Sequence, residues 1–425
     1  MSDAILESRE KRFEDIKRLS HNNQIVICIK ANTPGIDKNR YSSFFLVDHF
    51  AHLISKKFDI LDTHKFESSD GPYTIFIVQS TPIDDLKKAL INIENRHALG
   101  RLIDIDLYMN QQLISREDYN ISQRNCMLCE HNAIYCMKNK SHSTEELLSF
   151  IDYKIYEYIE NNISDMIEKA LLLELNLEDK FGLVTPSSTG SHTDMNYDLM
   201  LKSKDIIKPY LLDILKLGFL SDTKDLYQKA RAIGLKAEIE MFKKTEQINT
   251  YKGLIYILGF VLLSIGYIIK NNLGSQHIFS RIKSLAIDVF EDFDKPVQTA
   301  GVDSYMKYKI TGIRGEVFNG LPTIQKAQKT FLHIDTFNKK HYHHLLLFFM
   351  IHCEDTVLLK RAGNLKNYQH FKQMAAQVNP YIDKDIKKFT TYCINHHISI
   401  GGSADLFIVF YFLNYFNIFY HKEQK

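Results

Sequence analysis

Apolar and polar positions follow two different rhythms along this chain. In the amino-terminal part, short β-branched and aromatic runs alternate with amphipathic stretches. Gln24–Lys30 (QIVICIK) predicts a strand and Ser42–Lys56 (SSFFLVDHFAHLISK) an amphipathic helix. Tyr73–Gln79 predicts a second strand. Pro82, with Asp84 and Asp85 behind it at the positive end, predicts the first turn of another helix. Leu102–Met109 predicts a third strand, and the order strand–helix–strand–helix–strand predicts a compact α/β sheet domain.

The rhythm changes after Ser143. Ser143-Thr-Glu-Glu146 has the form of a capping box, Ser at the cap and Glu three residues on, and predicts the start of a long helix. From there helical spacing dominates and strand signals are scarce. Two runs are almost wholly apolar, Gly253–Ile269 and Leu406–Tyr420. The first is uncharged at the lower edge of membrane-spanning length, and the second carries Asn414 and Asn417. Both are expected to be buried helices of an all-helical domain rather than membrane spans. The fold class predicted is therefore multi-domain, an α/β sheet domain followed by a mainly α-helical one. The boundaries are 1–155 and 156–425, with the join around residues 145–165, and a chain of 425 residues suits such a division.

Composition narrows the function classes. Lys and Arg total 53 and Asp and Glu 51, so bulk electrostatic binding of nucleic acid is not expected. The amino terminus is charged from residue 3 onward, without an apolar run behind a basic start, so no secretory signal is expected and the compartment predicted is the cytoplasm. The six cysteines are then expected as thiols or metal ligands rather than disulfides.

Chemistry concentrates first in Gly100-Arg101-Leu-Ile-Asp104-Ile-Asp106-Leu. On a strand, Asp104 and Asp106 project from one face while Ile103, Ile105 and Leu107 turn to the core. Two carboxylates so placed suit a divalent cation, Mg2+, gripping a polyphosphate; the alternative is an ordinary exposed strand face. Gly100 permits close approach and Arg101 suits phosphate. Cys126, Cys129, Cys136 and His142 follow, four soft donors at short spacing that suit tetrahedral zinc, Zn2+; the alternative is buried or incidental thiols.

These residues carry a resemblance. His97-Ala-Leu-Gly100-Arg101-Leu-Ile-Asp104-Ile-Asp106, the three clustered cysteines, Lys140-Ser-His142-Ser and Asn32-Thr-Pro34-Gly35-Ile-Asp-Lys38 resemble the apo-citrate lyase phosphoribosyl-dephospho-CoA transferase family over roughly residues 5–155. The resemblance implies that a Ser hydroxyl of the citrate lyase acyl carrier protein (gamma subunit) attacks the α-phosphate of a triphosphoribosyl group and releases pyrophosphate. Asp104 and Asp106 as magnesium ligands fit that nucleotidyltransferase-like chemistry, with Arg101 and Lys38 on phosphate.

In the second part, polar islands interrupt the apolar background. They are Gly182-Leu-Val-Thr-Pro-Ser-Ser-Thr-Gly190-Ser-His192-Thr-Asp194-Met, Asn249-Thr-Tyr251-Lys252-Gly253, Gly312-Ile-Arg314-Gly-Glu316, Asp355-Thr356 with Arg361, and Gly401-Gly402-Ser403-Ala-Asp405. Gly, Ser and Thr suggest loops whose amides face an anion, and His192 and Asp194 offer acid, base or metal roles. Together the islands resemble the triphosphoribosyl-dephospho-CoA synthase family over roughly residues 160–425, with two departures: Tyr251 stands where His is usual, and Phe181 where Pro is usual.

That resemblance implies attack of the 2′-hydroxyl of 3′-dephospho-CoA on C1′ of the ATP ribose, with adenine leaving and the triphosphate intact. Such chemistry needs a base, an acid and a grip on phosphate. Asp194, Glu316, Asp355, Asp405 and His192 are the expected catalytic groups, and Lys252, Arg314, Gly401, Gly402 and Ser403 the expected phosphate or nucleotide binders; which carboxylate is base and which binds metal stays open. His341, His343, His344 and His352 are read as histidines of a helix start, exposed or in the core, rather than a metal site. The overall reading is a bifunctional transferase with ATP and dephospho-CoA as substrates and no nucleic-acid or membrane partner. The alternative is a zinc-containing nucleic-acid or protein-binding module without turnover.

Overall fold

The computed structural model describes residues 3–20, 23–79, 81–220, 225–293, 300–332, 334 and 338–420. Two compact units divide the chain, Met1–Asn162 with the chain end from Tyr420, and Ile163–Phe419.

The first unit runs α1 (Asp3–Leu19), β1 (Ile25–Ala31), α2 (Tyr41–Lys57), β2 (Ile60–Ser68), β3 (Gly71–Val78), α3 (Ile83–Arg96), β4 (Ile103–Met109), β5 (Gln112–Ile114) and α4 (Ala133–Asn139). The strands form one sheet in the order β2-β3-β1-β4-β5, every neighbouring pair antiparallel. The three expected strands and two expected helices are all present. The additional β2 is an edge strand with mostly exposed or half-buried side chains, so its sequence (ILDTHKFES) carries little apolar signal. By contrast β3 is buried at every position.

Alternation divides the sheet into two faces. Val26, Cys28, Tyr73, Ile75, Ile77 and Tyr108 pack with Ile16 and Leu19 of α1. The intervening Ile27, Ile29, Ile103 and Ile105 turn the other way, and α2 and α3 pack on β1, β3 and β4. In the β1–β4 register, Cys28 lies opposite Asp106 and Lys30 opposite Asp104. The aspartate pair therefore shares the α1 face of the sheet with Lys30.

Helix α5 (Thr144–Leu175) begins where the sequence predicts. Glu146 N–H donates to Ser143 Oγ at 3.1 Å and Ser143 N–H donates to Glu146 Oε2 at 2.7 Å, a complete capping box. The helix continues past Asn162, where the first compact unit ends.

The second unit is helical among its described residues: α6 (Tyr197–Leu220), α7 (Leu226–Lys244), α8 (Lys252–Lys270), α9 (His277–Leu285), α10 (Ala300–Tyr308), α11 (Ile313–Phe318), α12 (Pro322–Thr330), α13 (Lys339–His352), α14 (Thr356–Ala362), α15 (Leu365–Gln377), α16 (Asp383–Asn395) and α17 (Gly401–Phe419). Helix α8 is the central element and packs against α6, α7, α9, α11 and α17. Two glycines let α6 and α8 meet backbone to backbone. A Cβ at Gly218 would lie 2.3 Å from Leu263 O, and one at Gly266 would lie 2.4 Å from Leu215 O. Helices α8 and α17 are long and apolar enough to cross a membrane, yet 78% and 61% of their most apolar windows are buried inside the protein. They serve as core helices of this unit.

Candidate active sites

In the first unit β4 alternates as expected, with Ile103, Ile105 and Leu107 buried and Asp104 and Asp106 half-buried on one face. Asp104 Oδ1 accepts from Arg124 Nη1 at 2.8 Å. Burial, with the Asp104 charge beside it, pushes the Asp106 carboxyl up to about 6. A divalent cation would relieve the repulsion that Asp106 meets beside Asp104, so this donor pair fits Mg2+.

Beside it, a cavity of about 320 Å³ is lined by Asn32, Arg101, Ser115, Arg116 and Arg124 among others. Arg124 also bonds Glu94, which is itself paired with Arg116 at 3.2 Å. Arg101 Nε donates to Asn125 O at 2.7 Å, while its buried Nη1 has no hydrogen-bond partner. Three guanidinium groups with an unspent buried N–H make an anion cleft. Gly100 does allow a close approach, but to the backbone of α3: a Cβ there would lie 2.2 Å from Glu94 O. Lys38 lies in a different place. It is buried, donates to Thr33 O, and feels the charges of Lys30, Asp70 and Arg9.

Cys126, Cys129, Cys136 and His142 form the one group of three or more metal-ligand side chains gathered among the described residues, their donor atoms all within 4.8 Å of one another. Cys129 Sγ lies 3.4 Å from Cys136 Sγ and 3.3 Å from His142 Nε2. Zinc bonds of about 2.3 Å to sulfur and 2.0–2.1 Å to nitrogen in a tetrahedron separate donors by about 3.6–3.8 Å, close to the two short separations and inside the 4.8 Å span of the set, so these donors suit the ion. Local turns build it. Cys126 N–H donates to His131 O at 2.7 Å, and Asn132 caps α4 by accepting from Ile134 N–H at 2.8 Å.

In the second unit a cavity of about 240 Å³ lies among α7, α8 and α11. Tyr227, Tyr256 and Phe260 give it an aromatic wall, and Arg231, Lys252 and Arg314 give it charge. The Arg314 guanidinium stands over the Tyr256 ring at 5.6 Å, and Lys252 Nζ pairs with Glu238 at 2.8 Å. Lys252 opens α8, where Asn249 Oδ1 accepts its backbone N–H at 3.2 Å. Asp405 sits directly behind Gly253; burial, then the Asp355 and Glu174 charges, holds its carboxyl well above the usual carboxylate range.

The other islands support this arrangement. Asp355 is buried and its oxygens are fully used. Oδ1 accepts from Val357 and Leu358 N–H at 3.0 Å each, and Oδ2 from Ser403 N–H and Oγ–H at 2.8 Å each. It caps α14 and pins the first turn of α17, with Gly402 pressed on its carboxyl and Gly401 on Val357. Ser403 is committed to Asp355. Glu316, two residues from Arg314 on α11 and so on the opposite side of that helix, is buried and accepts from Thr323 N–H and Oγ1–H; burial raises it. His192 belongs to a separate group. Arg361 donates to its Nδ1 at 3.2 Å, which leaves the proton on Nε2 to donate to Ser399 Oγ at 2.9 Å. Burial and the Arg361 charge favour its neutral form, and Asp194, half exposed, lies 3.8 Å away.

A family model described as ATP:dephospho-CoA triphosphoribosyl transferase matches residues 160–422, and one described as apo-citrate lyase phosphoribosyl-dephospho-CoA transferase matches residues 2–158. The chain belongs to the ATP:dephospho-CoA triphosphoribosyl transferase family, with the second transferase fused ahead of it. Among its relatives is Protein CitXG of Leuconostoc mesenteroides subsp. cremoris, 29% identical with 96% of each chain covered. Protein CitXG of Haemophilus influenzae is 28% identical, covering 97% of this chain and 96% of the relative. A probable 2-(5''-triphosphoribosyl)-3'-dephosphocoenzyme-A synthase of Vibrio cholerae is 33% identical over 56% of this chain and 82% of its own. Both parts are transferases, and the pair accounts for synthesis and attachment of the citrate lyase prosthetic group.

Within this family framework the two departures become concrete. Tyr251 is buried at the start of α8, its hydroxyl has no hydrogen-bond partner, and burial beside Glu174 and Asp405 raises it. Phe181 is fully buried with φ of 56°, packed on Phe389. The α13 histidines serve separate partners: His341 completes the Asn338 capping box, His343 bonds Glu178 O at 2.8 Å, His344 meets Tyr381 and His352 meets Lys326. Sequence reading missed Arg116, Arg124 and Glu94 in the first unit. It also missed Arg231, Glu238 and Tyr256 in the second. Arg231 and Glu238 stand seven apart on α7, so their shared face was the available signal.

Proposed function

We propose that the second unit joins ATP to 3′-dephospho-CoA with loss of adenine, and that the first unit transfers the product to the citrate lyase acyl carrier protein. The observation that carries this reading is the gathering of Arg231, Lys252 and Arg314 around one aromatic-walled cavity, with Asp405 directly behind Gly253 of its wall. An aromatic wall suits a base ring and the cations suit a triphosphate.

In that unit Lys252, Arg231 and Arg314 hold the triphosphate. The dephospho-CoA 2′-oxygen bonds to C1′ as the C1′–N bond to adenine breaks, and the electron pair leaves on adenine. Asp405, kept protonated, supplies the proton that adenine takes. The hydroxyl proton goes to Glu238, a carboxylate of the cavity lining, since Asp355 is spent on capping, Glu316 on Thr323, and His192 and Asp194 belong to a separate group. Ser403 and the paired glycines shape the loop through Asp355.

In the first unit a Ser oxygen of the carrier bonds to the α-phosphorus as its hydroxyl proton passes to water, and the bond to the β-phosphate breaks with its electron pair leaving on pyrophosphate. Asp104 and Asp106 would hold Mg2+, which when bound neutralises charge on the phosphates. Arg101, Arg116 and Arg124 bind donor phosphate in the adjoining cleft. Cys126, Cys129, Cys136 and His142 would hold a structural zinc. The substrates ATP and dephospho-CoA put the work in the cytoplasm.

The test supplies purified protein with ATP, dephospho-CoA and magnesium, and measures adenine. Release is expected, and a folded preparation that releases none refutes the synthase assignment. Asp104→Asn is expected to block carrier modification while adenine release continues; equal loss of both refutes the division of labour.

A further inference from the structure

Helix α1 buries Ile5, Ile16 and Leu19, and Arg9 and Arg12 fall in the same stripe at alternating spacings of four and three. Two arginines thus occupy positions that the helix turns toward the sheet. Both reach Asp70, a fully buried carboxylate in the β2–β3 turn, from Arg9 Nε at 3.2 Å and Arg12 Nη1 at 2.5 Å. Lys30 Nζ joins them at 2.6 Å. Lys38 is next to this group: its ammonium feels Lys30, Asp70 and Arg9, and its side chain packs against Gly71.

One carboxylate therefore answers three cations directly, with Lys38, whose ammonium donates to Thr33 O, as a fourth beside them. Desolvated cations are costly unless an anion pairs with them, and burial holds both Lys30 and Lys38 below the usual lysine range. Asp104 and Asp106 do not supply that anion, because no ion pair within 4 Å joins either to these cations among the described residues. They are nevertheless neighbours. Lys30 lies opposite Asp104 in register, and the Cys28 thiol feels Asp106, Arg12, Lys30 and Asp104 together. An uncompensated cation nest and a metal-type aspartate pair share one face of the sheet.

We infer that Arg9, Arg12, Lys30 and Lys38 form a seat for the outer two phosphates of the triphosphate donor, with Asp70 as the residue that positions them. The seat keeps pyrophosphate until its release. It is distinct from the Arg101–Arg116–Arg124 cleft, and it rests on the transfer reaction proposed for this unit.

Pyrophosphate itself is the probe, titrated calorimetrically with magnesium into the full chain carrying Arg231→Gln, Lys252→Gln and Arg314→Gln, so that the second unit does not contribute. Arg12→Gln and Lys38→Gln are each expected to weaken binding about tenfold or more, to raise KM for the triphosphate donor, and to flatten the salt dependence; Arg12→Lys is expected to recover part. Unchanged affinity and KM in variants with a normal thermal melt overturn the seat. If Arg12→Gln fails to fold, Lys38→Gln decides. If the unsubstituted chain modifies no carrier yet binds pyrophosphate through Arg12, the transfer reading fails and the seat stands.

Discussion

Asp405 presses its carboxylate against Gly253 so closely that a Cβ at residue 253 would lie 2.1 Å from Oδ2. The residue belongs to the second turn of α17 and Gly253 to the first turn of α8. The adjoining Lys252 lines the cavity wall, so the carboxyl stands immediately behind the proposed triphosphate grip. Only a residue without a side chain permits that approach.

Gly253→Ala is therefore expected to displace the Asp405 carboxyl. Overpacking of this kind costs about 1–3 kcal/mol, which a unit of this size survives. Adenine release is expected to fall by about tenfold or more, since about 1.4 kcal/mol of lost positioning already gives that factor. Carrier modification, assayed with preformed donor, should be unchanged. Full adenine release from the variant would remove Asp405 from the reaction.

The raised Asp405 carboxyl also sets a pH dependence. Its folded pKa lies above its unfolded one, so the folded state holds this proton more tightly and the group costs stability as pH rises out of the ordinary carboxylate range. Asp405→Asn stays neutral and escapes that cost. The variant is expected to melt higher than the parent at pH 8, with the gap closing toward pH 4. Its adenine release should fall by about 10²–10⁴, the usual contribution of a proton donor. A melting gap that does not vary with pH would contradict a neutral Asp405.

The rhythm of the chain made the sheet strands, the Ser143 cap and the buried α8 legible, because burial enforces period and capping enforces residue type. Asp104 and Asp106 were readable for the same reason: strand alternation puts both on one face. What stayed hidden depends on tertiary approach. Arg116 and Arg124 come from irregular loops around Glu94, where no period exists to read. Arg9 and Arg12 looked like part of a charged terminus, and only Asp70, far along the chain, gives them meaning. Asp355 shows the converse, since its motif suggests catalysis while its four bonds hold two helices in place.

Asp355→Asn separates those two roles. The amide keeps one acceptor oxygen and loses the other, leaving either the Val357 and Leu358 amides or Ser403 unpaired. Stability is expected to drop by about 1–3 kcal/mol, the cost of an unsatisfied buried donor. Below the melting transition, adenine release should stay within about tenfold of the parent, a factor that corresponds to about 1.4 kcal/mol. A loss as deep as that of Asp405→Asn, with melting intact, would make Asp355 a reacting group instead.

The four soft donors in the first unit make a prediction independent of either reaction. Cys126, Cys129, Cys136 and His142 come from a loop, from α4 and from the residues just before α5, so a metal there ties three local segments together. Metal analysis of protein purified without chelator is expected to give about one zinc per chain, the occupancy of a closed four-donor site. Cobalt exchanged into the site should show thiolate charge-transfer absorption. Because metal binding is also folding energy, stripping should lower the melting temperature of the first unit, and Cys129→Ser should mimic stripping. Adenine release should persist, since it belongs to the second unit. Protein free of zinc with an unaltered melt, and a cobalt complex without thiolate bands, would leave these residues as ordinary thiols.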